Sequence, residues 1–172
     1  MFRYTSILEP EHSNELEQLL FFNSGQHTAH AAIVDSIEMF GEPFVDNDGE
    51  RLRVSVRKLD EAQTLFAFDG DILAGLLVYS RVSLERLVVI HIAVREDYSS
   101  YGEFANKILV MRMSQQLREC ARRIKGIETI RMMYGSNRTR DYPVRRDIFL
   151  GLKNDVTARG GLGKPKACQD QL

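Results

Sequence analysis

The stretch Leu87-Val88-Val89-Ile90-His91-Ile92-Ala93-Val94 constrains the fold more than any other part of the chain. It is almost continuously apolar, with none of the polar alternation of a half-exposed strand. Residues 84–94 therefore predict a strand covered on both faces, at the centre of a sheet. From residue 102 to 124 the period becomes helical. Ala105, Ile108, Leu109, Met113, Leu117, Cys120, Ala121 and Ile124 form one stripe, and Lys107, Arg112, Gln116, Glu119 and Arg123 form the other. Gly126 stops this helix and residues 127–134 read as a further strand. Strand, loop, helix and strand in that order predict a parallel βαβ crossover.

The flanks are consistent with one α/β domain. Residues 2–8 read as extended. Asn14 stands three residues before Glu17, an Asn form of the capping box, ahead of a helix over 13–22. A second helix is expected over 28–39, ended by Gly41 and Pro43. Leu52, Val54 and Val56 alternate with cations, as in a half-exposed strand. Residues 64–68 and 72–81 flank Asp69-Gly70-Asp71 as an antiparallel hairpin. The domain is placed at 1–158, with 159–172, rich in Gly and Lys, as a flexible tail.

Charge and cysteine content narrow the function classes. The chain has 23 Lys plus Arg against 24 Asp plus Glu, which argues against a wholly basic nucleic-acid binder. Cys120 and Cys168 lie far apart, with no neighbour at metal-ligand spacing, so neither a zinc site nor a disulfide framework is read. No apolar run reaches the length of a membrane span, and no signal peptide opens the chain. The expectation is a cytoplasmic protein with no membrane contact and no metal.

The segment Val94-Arg95-Glu96-Asp97-Tyr98-Ser99-Ser100-Tyr101-Gly102-Glu103-Phe104 joins the central strand to the long helix. Such a junction offers backbone amides and the positive end of a helix dipole, which suit a phosphate. With the order of elements around it, Val94, Tyr98 and Gly102 resemble the register of the GNAT superfamily of acyl-CoA N-acyltransferases. Asn137 and Leu150-Gly151-Leu152 resemble that family's later Asn and Leu-Gly-Phe. The resemblance covers about residues 64–152. It departs from the family where Ser99 replaces an Arg or Gln and Phe104 a second small residue.

The resemblance implies a GNAT-like mixed, mainly antiparallel sheet with a central βαβ unit and flanking helices. It also implies acyl transfer from acetyl-CoA, or binding of CoA, with an amine-bearing small molecule or protein as acceptor. Ile92, Ala93 and Val94 would pair with the pantetheine amides. Ser99, Ser100, Tyr101, Gly102, Glu103 and Phe104 would serve the phosphates, and Asn137 belongs to the same implied site. Phe104 would either crowd the pyrophosphate or point into the core.

Acyl transfer to an amine needs a base, an oxyanion donor and often an acid for the leaving thiolate. Tyr142, five residues after Asn137, is the candidate acid, and Glu85 is a candidate carboxylate. His91 stands three residues before Val94, so strand alternation turns it to the opposite face, as a packed histidine. Without a convincing base, a GNAT-like binding module that has lost turnover is the alternative. Arg131, Arg138, Arg140, Arg145 and Arg146 offer phosphate clamps for a nucleic-acid partner, with a solvated charged face as the bland reading. The short stretch after Gly151 either leaves the substrate wall short or calls on a second copy, as a homodimer.

Overall fold

The computed structural model describes residues 1–23, 30–133 and 139–145 of the chain. Eight strands and three α-helices follow one another along these residues: β1 (Phe2–Thr5), α1 (Ser13–Phe21), α2 (His30–Phe40), β2 (Pro43–Asn47), β3 (Leu52–Val56), β4 (Gln63–Asp69), β5 (Ile72–Ser83), β6 (Arg86–Val94), α3 (Leu109–Arg123), β7 (Thr129–Met132) and β8 (Arg140–Pro143). Six strands form one sheet in the order β1-β4-β5-β6-β7-β8, while β2 and β3 form a separate hairpin. All pairings in the large sheet are antiparallel except β6 with β7, which are parallel. The fold is thus a mixed, mainly antiparallel α/β sheet with a central crossover through α3.

Two apolar layers cover the sheet. On one face α1 and the β2–β3 hairpin bury Leu16, Leu19, Leu20, Leu52 and Val54 against Phe66, Leu76, Val88 and Ile90. On the other, α3 buries Leu109, Met113, Leu117 and Ala121 against Leu77, Leu87 and Val89. These are positions of one helical stripe, so burial rather than intrinsic propensity holds α3 in place. The alternation of β3 places Leu52, Val54 and Val56 inward as expected. At the end of α2, the Gly41 amide donates to the Ile37 carbonyl at 2.8 Å with φ +86°, a left-handed helix stop that favours glycine.

Several elements differ from the sequence reading. A short 3-10 turn, Pro10–His12, precedes α1, and His12 occupies the cap position with no side-chain cap bond, so the Asn14 box does not form. The strands β2 and β8 lie in stretches whose side chains gave no strand period. The largest change is at α3, which starts at Leu109 instead of residue 102. The intervening segment holds two 3-10 turns, Glu96–Tyr98 and Ala105–Lys107, and Ile108 turns into α3 at φ +45°. Among the described residues no helix is long and apolar enough to cross a membrane, and no group of His, Cys, Asp or Glu is arranged to hold a metal ion. Residues 146–172, including the proposed tail, lie outside the described residues.

Candidate functional site

The parallel pair at the sheet centre joins only part of β6. Residues 86–89 align with 129–132, and the last bond of the pair runs from the Met133 amide to the Val89 carbonyl at 3.4 Å. Beyond Val89, residues 90–94 have no partner strand on that side among the described residues. The parting coincides with a β-bulge, because Tyr79 aligns with Val89 and Val78 with His91, leaving Ile90 opposite no residue of β5. The carbonyl thus freed from the ladder is not wasted: Ser36 Oγ, buried in the middle of α2, donates to Ile90 O at 2.8 Å.

The register fixes where the remaining polar groups of β6 point. The Arg95 amide donates to Ala74 O at 2.9 Å, so bonded pairs alternate upward from there. The backbone groups of Ile92 and Val94 then face away from β5, into the notch that β7 leaves. Val94 O is met from that side by the Asn23 side-chain amide. Ala93 is buried on the α1 face, while Ile92 and Val94 pack toward the α3 layer.

A cleft of about 670 Å³ lies at the open end of the notch, between α1 and the segment after β6. Asn14, Glu15, Gln18 and Phe22 line one wall, and Arg95, Glu96, Asp97 and Gly102 the other. Three carboxylates face one guanidinium there, and Arg95 is already paired with Asp97 at 3.3 Å. A cation is better complemented than an anion at this wall.

The segment of residues 95–108 is tied down by an interaction set that sequence reasoning missed. Tyr98, buried to 4% exposure, donates from its hydroxyl to Asp69 Oδ2 at 2.7 Å, and Lys107 Nζ pairs with the same oxygen. Lys107 also sits over the Phe104 ring at 4.6 Å and the Tyr98 ring at 5.4 Å. Burial first, then the Asp69 bond, raises the Tyr98 pKa to about 12, so the hydroxyl is a permanent donor. The bonds from Lys107 and Tyr98 hold Asp69 below its ordinary value, as a carboxylate. Phe104 points to the core, 5.0 Å from the Tyr98 ring, which decides between its two expected placements.

Gly102 has a structural use in this segment. A Cβ there would lie 2.3 Å from the carbonyl oxygens of both Glu96 and Asp97. Its amide donates to Ser99 O at 3.1 Å, and the Phe104 amide to Asp97 O at 2.7 Å. Of the six residues expected to serve phosphates, Ser99, Gly102 and Phe104 have their amides engaged internally, that of Ser99 by Glu96 O at 3.1 Å. The amides of Ser100, Tyr101 and Glu103 have no backbone partner among the described residues, and Tyr101 is fully exposed.

The catalytic candidates are not brought to the notch. Glu85 lies in the β5–β6 turn, where its carbonyl accepts the Glu128 and Thr129 amides at 2.8 and 3.1 Å. Nine residues of strand separate it from Val94, roughly 30 Å. Tyr142 pairs with Ile130 on edge strand β8 and is half exposed on the α3 side, away from the cleft under α1. Asn137 lies outside the described residues. His91 is buried at 5% exposure on the α1–α2 side, and burial lowers its pKa to about 4.

Of the described members of the arginine cluster, Arg131 is engaged within the fold while Arg140 and Arg145 are exposed. Arg131 clamps Asp141 with two bonds at 2.8 and 2.9 Å, and Arg118 and Arg122 donate to the carbonyls of Pro143 and Val144. Arg138 and Arg146 lie outside the described residues.

No protein-family model matches the chain, and no curated protein matches its sequence. Among solved structures, the chain is similar to one from Desulfovibrio desulfuricans assigned to the GNAT family of acetyltransferases, with a TM-score of 0.37 and 17% identity over 77% of this chain and 71% of that one.

Proposed function

We propose that the protein transfers an acyl group from an acyl-CoA thioester to an amine, with the notch between β6 and β7 as the donor site. The observation that carries this reading is the parting of the strands after Val89 with the Ile92 and Val94 backbone groups directed into the gap. With Val94 O held by Asn23, the Ile92 amide and carbonyl and the Val94 amide are the groups left without a backbone partner on that side among the described residues, and an extended ligand bearing amides satisfies them as an added strand would. A pantetheine arm has this chemistry. The carboxylates Glu15, Glu96 and Asp97 at the open end suit an ammonium acceptor. In the transfer, the neutral amine attacks the thioester carbonyl, the C–N bond forms as the C–S bond breaks, and the amine proton leaves while the thiolate takes one up.

A second reading, CoA binding without turnover, is favoured by a specific observation. Glu85 and Tyr142 are remote from the notch, and His91 is held neutral well below pH 7. Thermal melting with acetyl-CoA and CoA, backed by titration calorimetry, tests the shared part, since a ligand of the folded state raises its melting temperature. Binding accompanied by thiol release with an amine acceptor supports transfer, and binding without release across an amine panel supports the second reading. No binding of either ligand at millimolar concentration refutes both.

A further inference from the structure

A pocket of about 250 Å³ opens on the α1–α2 face of β6, walled by Leu20, Phe21, Ile33, Ile37, Ile90 and His91. Its wall is apolar apart from groups already occupied. Ser36 Oγ donates to Ile90 O, and the His91 ring is bonded to the Leu20 backbone. Among the described residues the only carboxylate on its lining is Glu42, which is exposed and faces Arg57 at 3.8 Å. A ligand group held here gains from burial and shape, with no charge to meet.

The pocket and the notch share one residue. Ile90 is the first residue of β6 beyond the parting of the strands, and it also forms part of the pocket wall. An extended arm entering along Val94 and Ile92 is stopped where β6 and β7 join at Val89. Its reactive end therefore comes to rest beside Ile90. The bulge breaks the alternation of β6 at this point, and both Ile90 and His91 line the pocket, so the residue at the end of the notch belongs to its wall.

We infer that this pocket receives the acyl chain of the donor, and that the donor acyl group is a medium-length aliphatic chain instead of acetyl. The inference rests on the donor-site reading above. At roughly 30 Å³ for each water-sized group, the pocket holds about eight heavy atoms. An acetyl group leaves most of it to water, whereas a chain of roughly six to eight carbons fills it. Ile37, one of the apolar side chains that α2 contributes to the wall, sets the chain length.

The test is titration calorimetry of the full chain with CoA and with acetyl-, butyryl-, hexanoyl-, octanoyl- and dodecanoyl-CoA. Each methylene that enters the pocket is expected to tighten binding about fourfold, up to roughly eight carbons, after which the gain stops. Ile37→Phe should shift the optimum to shorter chains and Ile37→Ala to longer ones; the two shifts have opposite signs, and the alanine variant serves if the bulkier one fails to fold. A flat series, or acetyl-CoA binding as tightly as octanoyl-CoA, overturns this inference while leaving the donor-site reading intact. An optimum that neither Ile37 variant moves also overturns it. Failure of CoA and every ester to bind overturns the donor-site reading, and this inference with it.

Discussion

Replacing Gly102 by alanine separates two uses of a glycine that sequence alone cannot tell apart. If Gly102 exists to let backbone approach a ligand, the unliganded protein should tolerate a methyl group. In the structure that methyl would sit 2.3 Å from two carbonyl oxygens and 2.5 Å from the Asp97 carbonyl carbon, all of them backbone atoms. The segment must then move by roughly 1 Å to restore contact distances. Three bonds depend on its position: Gly102 amide to Ser99 O at 3.1 Å, Phe104 amide to Asp97 O at 2.7 Å, and Ala105 amide to Gly102 O at 3.1 Å. At about 1 kcal/mol net for each, their loss costs about 3 kcal/mol. The smaller chain entropy of alanine in the unfolded state returns about 0.5 kcal/mol. A net loss of about 2.5 kcal/mol corresponds to a melting temperature lower by roughly 5–10 °C for a chain of this size. The chain has no Trp, so far-UV circular dichroism in urea and on heating is the assay. A Gly102→Ala protein that melts with the wild type without ligand, yet loses stabilisation by CoA, would refute this reasoning and return the glycine to a ligand-binding role.

Other perturbations address the same frame. His91 has a folded pKa near 4 against an ordinary 6.5, so the unfolded chain binds the extra proton as pH falls between those values. Stability should drop over that window by about 3 kcal/mol, and His91→Asn should flatten the urea midpoint against pH. Tyr98 carries the opposite sign: its pKa is raised from 10.0 to about 12, so its contribution is complete below pH 10 and is lost as pH rises toward 12. Tyr98→Phe should remove about 1 kcal/mol at neutral pH and reduce the alkaline slope, read by the same denaturation series. Arg131→Ala should shift stability by less than about 1 kcal/mol despite its paired geometry, because both it and Asp141 are partly exposed. With Arg118, Arg122 and Arg131 engaged internally, the wild type is expected to elute from heparin in low salt, and strong salt-dependent retention would restore the nucleic-acid reading.

Periodicity carried most of the sheet. The apolar run ending at Val94 does lie at the centre, between β5 and β7. The Gly70 turn joins β4 to β5, and the βαβ crossover is parallel as its order requires. Such features are legible because each depends on local period or on a turn residue whose conformation few others adopt. The two strands missed in the sequence lack that signal. All four side chains of β8 are exposed, and it is held by pairing to β7 and by arginines reaching its end from α3. The hairpin strand β2 begins at Pro43 and carries Phe44 next to Val45 and Asp46 next to Asn47, so its sequence shows no alternation.

What the sequence by itself determined is the class of fold, the central strand and the amphipathic face of α3. Tertiary structure alone decided the form of the segment that joins the two. The helical stripe runs back through Ala105, yet α3 begins at Leu109, because Asp69 in the β4–β5 hairpin binds Tyr98 and Lys107 and draws the segment out of helical geometry. The bulge at Ile90, the Ser36 bond that satisfies it and the Asn23 bond to Val94 likewise join residues far apart in the chain. No local pattern encodes a partner 50 or more residues away. Such contacts arise only when the packed layers bring a buried polar group within reach of the one backbone atom that lacks a bond.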